Sequence, residues 1–369
     1  MSSKTTTTGT VSVNDSGAVL SYEDTGPPTS GAQTYLTVVL IHGSVFHGTT
    51  FRRLVPYAAQ HNLRLILLNT RDYPGSTPYA PTELELMHGG DHAAQEAFMR
   101  AQGHEIALFL ERFIRANKVP PLEEVERQGG NKIIGGVAVG AWSFGNIYHT
   151  ALFAHLASLE DESCNFLERY LRTIVYLDAS CPSVGIPAAE GVYHPLRDTS
   201  LSPKERGEVF LSWVSAYFTP VPSLSDVSPS LLAPRTFVPE SDDVSSPRFP
   251  TVKRMSPAEL ASVTHFTALA SNLALRQIDE SVYAANLRRA LFDTNAVCPR
   301  AKALVLWCDM SIGDCVWAAK GIADLLAAES ANAGSKTKRE VEFVKLEGCN
   351  HFVHWDDPEK LVRVLVEHA

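Results

Sequence analysis

A serine, an imidazole and a pair of backbone N–H donors are the reagents of acyl transfer. This chain offers all three where a parallel sheet would gather them. Ser143 lies in Gly140-Ala141-Trp142-Ser143-Phe144-Gly145, where an apolar β-type run gives way to a helical one. A serine at such a junction sits on a tight, strained bend that lifts its hydroxyl above the carboxyl edge of the sheet. Small residues two before and two after it let strand and helix backbones approach each other. Here they are Ala141 and Gly145, and alanine tolerates strained dihedrals less well than glycine. His351, in Gly348-Cys349-Asn350-His351-Phe352, follows the last β-type run. An imidazole in that loop can reach back to the serine, and a pKa near ~6.5 suits proton transfer at neutral pH. His354, on the first turn of the following helix, is expected to point elsewhere. The third element is His42-Gly43-Ser44, directly after the first long buried run. A glycine turn there would aim the Ser44 N–H at the edge where Ser143 emerges. With the Phe144 N–H it would form an oxyanion hole, each donor worth ~3 kcal/mol to developing negative charge. Trp142, His42 and Gly43 are expected to wall the substrate pocket.

The elements that must hold these residues follow from periodicity. Leu36–Ile41, Leu63–Leu68, 133–140, Leu171–Leu177, 303–307 and Val341–Leu346 are continuous apolar runs, which suits strands buried on both faces. Helical periodicity over 51–60, 105–116, 147–159 and 358–367 alternates with them, so the chain reads as βαβ units building a parallel sheet. Residues 11–13 and 18–22 flank Asn14-Asp15-Ser16-Gly17 and predict an opening hairpin. From Ser180 to about Cys298 the alternation stops. More than a hundred residues rich in Pro and Ser, without strands, cannot be a loop. The spacing predicts a flexible tail over residues 1–10, an α/β core over 11–179 and 299–369, and an inserted helical cap over 180–298.

Composition excludes several classes. The chain has 369 residues, 45% hydrophobic and 20% charged, with a formal net charge of −9. That is ample apolar surface for a packed core and the wrong sign for a general nucleic-acid or anionic-membrane binder. Cys164, Cys181, Cys298, Cys308, Cys315 and Cys349 show no CxxC pair or zinc spacing, so free buried thiols in a reducing compartment are expected. His88 with His92, and His149 with His155, lack carboxylate or cysteine partners at metal spacing, and no metal is expected. Phosphate-loop and dinucleotide signatures are absent, so no cofactor is expected either. No apolar stretch is long enough for a membrane span and no secretory signal is evident. A cytoplasmic address follows, and the sequence does not speak to oligomeric state.

In this order, the serine bend, the Gly43 turn and the histidine loop resemble the α/β-hydrolase fold family, from about Val11 to the C-terminus. Arg71-Asp72-Tyr73-Pro74-Gly75-Ser76-Thr77 resembles the family's turn after the second buried strand. Tyr176-Leu177-Asp178-Ala179-Ser180-Cys181-Pro182 is similar to a strand exit of esterase and hydroxynitrile-lyase relatives. Asn350-His351-Phe352 with Trp355-Asp356-Asp357-Pro358-Glu359 resembles the family's ending. The resemblance implies a mostly parallel central sheet flanked by helices, a helical cap, and a Ser-His-acid triad. The acid departs from the pattern. After the penultimate strand the chain reads Trp307-Cys308-Asp309-Met310-Ser311-Ile312-Gly313-Asp314, which aligns Ser311 with the family's carboxylate. Asp178, at the end of the preceding strand, is the first candidate, where some lipase and dehalogenase relatives place theirs. Asp309, Asp314 or no acid at all are the alternatives, and Asp178 could instead cap the following turn.

The function implied is hydrolysis of a carboxylic ester, lactone or thioester of a small-to-medium apolar substrate through an acyl-enzyme. Trp213, Tyr217 and Phe218 of the cap would close the pocket. Epoxide hydrolase and haloalkane dehalogenase chemistry is disfavoured, because those relatives carry Asp at the nucleophile position. A same-fold lyase or acyltransferase in secondary metabolism, or a non-catalytic ligand receptor, remains as an alternative.

Overall fold

The apolar runs become the strands of one sheet, and its register decides which loop ends meet. The computed structural model describes residues 6–28, 34–88, 90–127, 130–293, 298–331 and 338–369. Its strands are β1 (Thr7–Ser12), β2 (Val19–Asp24), β3 (Leu36–Ile41), β4 (Leu63–Leu68), β5 (Glu123–Arg127), β6 (Gly130–Ile134), β7 (Val137–Trp142), β8 (Leu171–Leu177), β9 (Lys302–Cys308) and β10 (Val341–Leu346). Eight of them form a sheet in the order β1-β2-β4-β3-β7-β8-β9-β10. The first two are antiparallel and the other six run parallel. The chain therefore has the α/β-hydrolase fold.

Ile41 pairs with Ala141, Trp142 with Leu177 and Leu177 with Leu306. The residues that follow, His42, Ser143 and Asp178, thus leave neighbouring strands at nearly one level. Parallel sheets collect their functional loops at this carboxyl edge. Every residue of β4 and β7 is buried, as strands covered on both faces require.

One face of the sheet carries the helices His92–Asn117, Asn146–His155, Glu280–Phe292 and Gly313–Ala331. The other is covered by the turns of Gly48–Ala58 and the closing helix Pro358–His368. The helix His92–Asn117 crosses Asn146–His155 backbone to backbone. A Cβ on Gly103 would stand 2.5 Å from the Ala151 carbonyl oxygen.

Two local readings change. The single strand expected over 133–140 is two, because Gly135 (φ +69°) and Gly136 (φ +76°) take left-handed backbone that ends β6 and re-aims the chain into β7. β6 pairs only with β5, as a separate hairpin. At the start of the chain, Thr7 to Thr10 pair with Ser21 to Asp24, so strand structure begins inside the expected tail. A Thr-rich edge strand has no apolar alternation to announce it. Residues 1–5 of that tail, and 294–297 at the end of the expected cap, lie outside the described residues. Among the described residues, no strand of the main sheet falls between 180 and 298. Within that interval Glu280–Phe292 packs on the helix after Ser143, through Asn286 on His155 at 2.9 Å and Tyr283 on Phe144. Among the described residues no helix is long and apolar enough to cross a membrane.

Candidate active site

Ser143 has φ +57°, a left-handed backbone that an L-residue adopts only under constraint. The constraint is visible on both sides. A Cβ on Gly145 would stand 2.1 Å from the His42 carbonyl oxygen, and one on Gly43 would stand 2.9 Å from Ser143 Cβ. The turn after β3 and the bend after β7 are thus pressed together, and neither position has room for a side chain. Asn146 Nδ2 donates to the Ser143 carbonyl at 2.6 Å, which ties the bend to the helix that follows. Ser143 itself stays partly exposed.

His351 is brought to this point by Trp142. The indole Nε1–H donates to the His351 carbonyl at 2.9 Å, and the two rings lie 4.9 Å apart. Among the described residues no hydrogen bond joins Ser143 Oγ to His351, whose loop is tied to the residue before Ser143 by the Trp142 indole. Trp142 and His42 are each 2% exposed. Neither is among the residues lining the cavity beside Ser44 described below. The same holds for Gly43. Trp142 fills the space under the site because Phe46, Phe51, Phe352 and His354 pack around it.

The carboxylates separate cleanly. Asp178 Oδ2 lies 2.6 Å from His351 Nδ1, and both side chains are shut off from solvent. Ser311 Oγ donates to the same Oδ2 at 2.5 Å, and the Cys308 N–H donates to Oδ1 at 3.0 Å. Three donors therefore converge on one buried anion, as burial of a charge demands. Asp178 has φ +43°, a conformation aspartate tolerates better than most residues. Asp309 is turned away, accepting the Gly348 N–H at 2.7 Å. Asp314 accepts the Cys181 N–H at 3.1 Å. Among the described residues neither touches an imidazole. Ser311, which aligns with the family's acid, supports the carboxylate of the neighbouring strand instead. That role had no signal in the sequence, because it depends on which way two loops face.

The other histidines are engaged elsewhere. His354 lies against Trp142 and Phe51 and bonds Thr50 Oγ1 at 3.1 Å. Burial holds its pKa well below the ordinary value. His42 accepts the Thr70 N–H at Nε2, and burial lowers its pKa to about 3. His149 is clamped between the carbonyls of Asn146 and Val175. His155 meets Asn286, His88 meets Gln277 and His92 meets Ser281. Asp178, Cys315 and His351 do bring three potential ligand atoms within 4.8 Å of one another. The imidazole and carboxylate are spent on each other, and burial pushes the Cys315 thiol well above its ordinary pKa.

Ser44 is partly exposed. Its successor Val45, at φ +71°, donates its N–H to Tyr73 Oη at 2.8 Å. Among the described residues the Ser44 N–H has no acceptor. The Phe144 N–H lies in the first turn of its helix, where no preceding carbonyl is in register. A cavity of about 400 Å³ opens beside Ser44 and Val45, with Phe210, Leu211, Phe266 and Leu269 among its walls.

The sequence model of the alpha/beta hydrolase family matches residues 38–364. No curated protein matches the chain in sequence. Among solved structures, bromoperoxidase from Bacillus anthracis is similar over 98% of this chain and 99% of its own, at 12% identity and a TM-score of 0.54. A laboratory-evolved variant of potato epoxide hydrolase is similar over 99% and 98%, at 14% identity and a TM-score of 0.54. Cfl2 from Burkholderia cenocepacia is similar over 98% and 94%, at 16% identity and a TM-score of 0.54. At such identities the likeness is one of fold. The chain belongs to the alpha/beta hydrolase family.

Proposed function

We propose that this protein is a serine hydrolase that cleaves a carboxylic ester, lactone or thioester of a small-to-medium substrate. The observation that carries this reading is the buried 2.6 Å contact between Asp178 and His351 behind the strained Ser143 bend. Ser143 Oγ attacks the carbonyl carbon and gives its proton to His351 Nε2. Asp178, bonded to Nδ1, holds the imidazole in the tautomer that leaves Nε2 free and stabilises the imidazolium that forms. The Ser44 and Phe144 N–H groups take the developing oxyanion. His351 returns the proton to the leaving group, then activates water to release the acyl group from Ser143.

The segment 180–298 acts as the cap in this reading, and the apolar side chains of Phe210, Leu211 and Phe266 favour an apolar body for the substrate. A serine at the bend supports acyl transfer over opening of an epoxide or displacement of a halide, where a carboxylate nucleophile is needed. Each proposed step draws on this chain's own residues.

Incubation with a fluorophosphonate followed by intact-mass measurement tests the nucleophile. One adduct is expected, absent from Ser143→Ala, together with turnover of short 4-nitrophenyl esters. A wild-type protein that stays unlabelled sinks the reading. Labelling without ester turnover redirects it to a lyase or an acyltransferase.

A further inference from the structure

Among the described residues, one cation at the mouth of this site forms no ion pair. Arg276 follows the helix Leu269–Leu275 and is only partly exposed. Its Nη2 lies 3.5 Å from Ser44 Oγ, and its guanidinium sits 4.3 Å from the centre of the Phe144 ring. It therefore rests on the side-chain faces of both residues assigned to the oxyanion hole. Among the described residues it forms no ion pair. Burial lowers its pKa, opposed first by the charge of Asp314, and arginine remains a cation at neutral pH regardless.

A partly desolvated guanidinium normally has a carboxylate on its fork. Arg64 on Asp24 and Arg71 on Glu105 and Glu83 have one, and the buried Arg339 has the carbonyls of Ala290, Cys298 and Ala301 in its place. Arg276 instead faces open space. It lines the cavity of about 400 Å³ beside Ser44 and a second of about 390 Å³. Asp314 lines only the second, and its Oδ2 is already taken by the Cys181 N–H. The Ser44 cavity holds Arg276 and, among other charged walls, Lys204 and Glu208, while its inner surface is apolar.

We propose that Arg276 is the contact for an anionic group on the substrate, and that the natural acyl chain carries a carboxylate a few atoms from the scissile carbonyl. This rests on the serine-hydrolase reading and adds the substrate class to it: a half-ester or half-thioester of a dicarboxylic acid, with an apolar linker. The guanidinium lies beside Ser44 Oγ and the Phe144 ring, on the side-chain side of both residues. It is thus placed to meet a neighbouring group, with the oxyanion itself left to the backbone donors. Such an arginine selects substrates, and it is also why a wholly apolar ester would leave a charge unanswered in the bound complex.

The test compares mono-4-nitrophenyl succinate, glutarate and adipate with 4-nitrophenyl butyrate, pentanoate and hexanoate on the full chain. At least one half-ester is expected to exceed its neutral partner in kcat/KM by about 10-fold or more. In Arg276→Gln the ratio of half-ester to neutral ester should fall by about 10-fold or more, mainly through KM, and Arg276→Lys should restore part of it. No preference in the wild type, or a preference that survives Arg276→Gln, overturns the proposal. Equal losses on both ester series overturn it too, because they indicate a role in the oxyanion hole or in packing. If nothing is labelled and no ester turns over, the hydrolase reading has failed separately. Calorimetric titration with monoethyl glutarate then decides for Arg276: binding lost in Arg276→Gln supports the anion site, and absent or unaffected binding overturns it.

Discussion

Two adjacent strand exits at the carboxyl edge carry an aspartate each, and only one addresses the imidazole. β8 runs straight into Asp178, whose left-handed backbone swings the carboxylate sideways beneath His351. β9 runs one step further, through Cys308, and Asp309 then turns toward the Gly348 N–H. The first exit receives three donors and the second is held by a loop amide. A position in the chain says which edge a carboxylate reaches. Its direction is decided by the backbone of one residue and by the neighbours that pull on its oxygens.

The sharpest way to break this comparison is to neutralise each aspartate in turn. Asp178→Asn should lower kcat by about 10⁴-fold, because an amide there can favour the wrong imidazole tautomer. Asp309→Asn should stay within about 3-fold of wild type, since it contacts no reacting group. Steady-state rates on a half-ester or neutral ester read both, and reversal of that order would reassign the acid. Next in size is Ser311→Ala. Removing one of the donors on a buried carboxylate should cost about 10-fold in kcat, while an unchanged rate would make Ser311 a bystander.

The smallest effect concerns stability. Burial raises the Asp309 carboxyl pKa, opposed by the Gly348 N–H. A raised folded-state pKa means that the favourable contribution is present below the unfolded value and is lost as pH rises through the folded one. Asparagine keeps an acceptor for Gly348 and removes the charge. Asp309→Asn should therefore gain on wild type in urea unfolding between pH 3.5 and pH 7. A relative loss over that interval would show that the ionised carboxylate is needed where it stands.

Much of the architecture was legible because buried parallel strands announce themselves as apolar runs. Two of these runs end in Ile41 and Leu177, and the run expected to stop at Gly140 continues as β7 to Trp142, so the serine bend was readable near the same edge. What could not be read was facing. Asp178, Asp309 and Asp314 all lie within reach in sequence terms, and the hydrogen bonds that separate them are made by Ser311, Cys308, Gly348 and Cys181 from other loops. Gly135-Gly136 looked like part of a strand because flanking β-branched residues dominate a short window. Arg276 left no trace: an arginine at the end of a short helix in a Pro- and Ser-rich stretch reads as solvated, and only the missing counter-ion makes it noticeable.

The crossing at Gly103 has a consequence for genetics. The Ala151 carbonyl opposite it belongs to the helix that begins just after Ser143. A side chain at position 103 has nowhere to go except into that helix, whose first residue, Asn146, is tied to the bend. In an activity screen, substitutions at Gly103 would group with those at Ser143 and His351, although position 103 faces no substrate. Suppressors of such alleles should arise along the opposing helix, in residues small enough to give the space back.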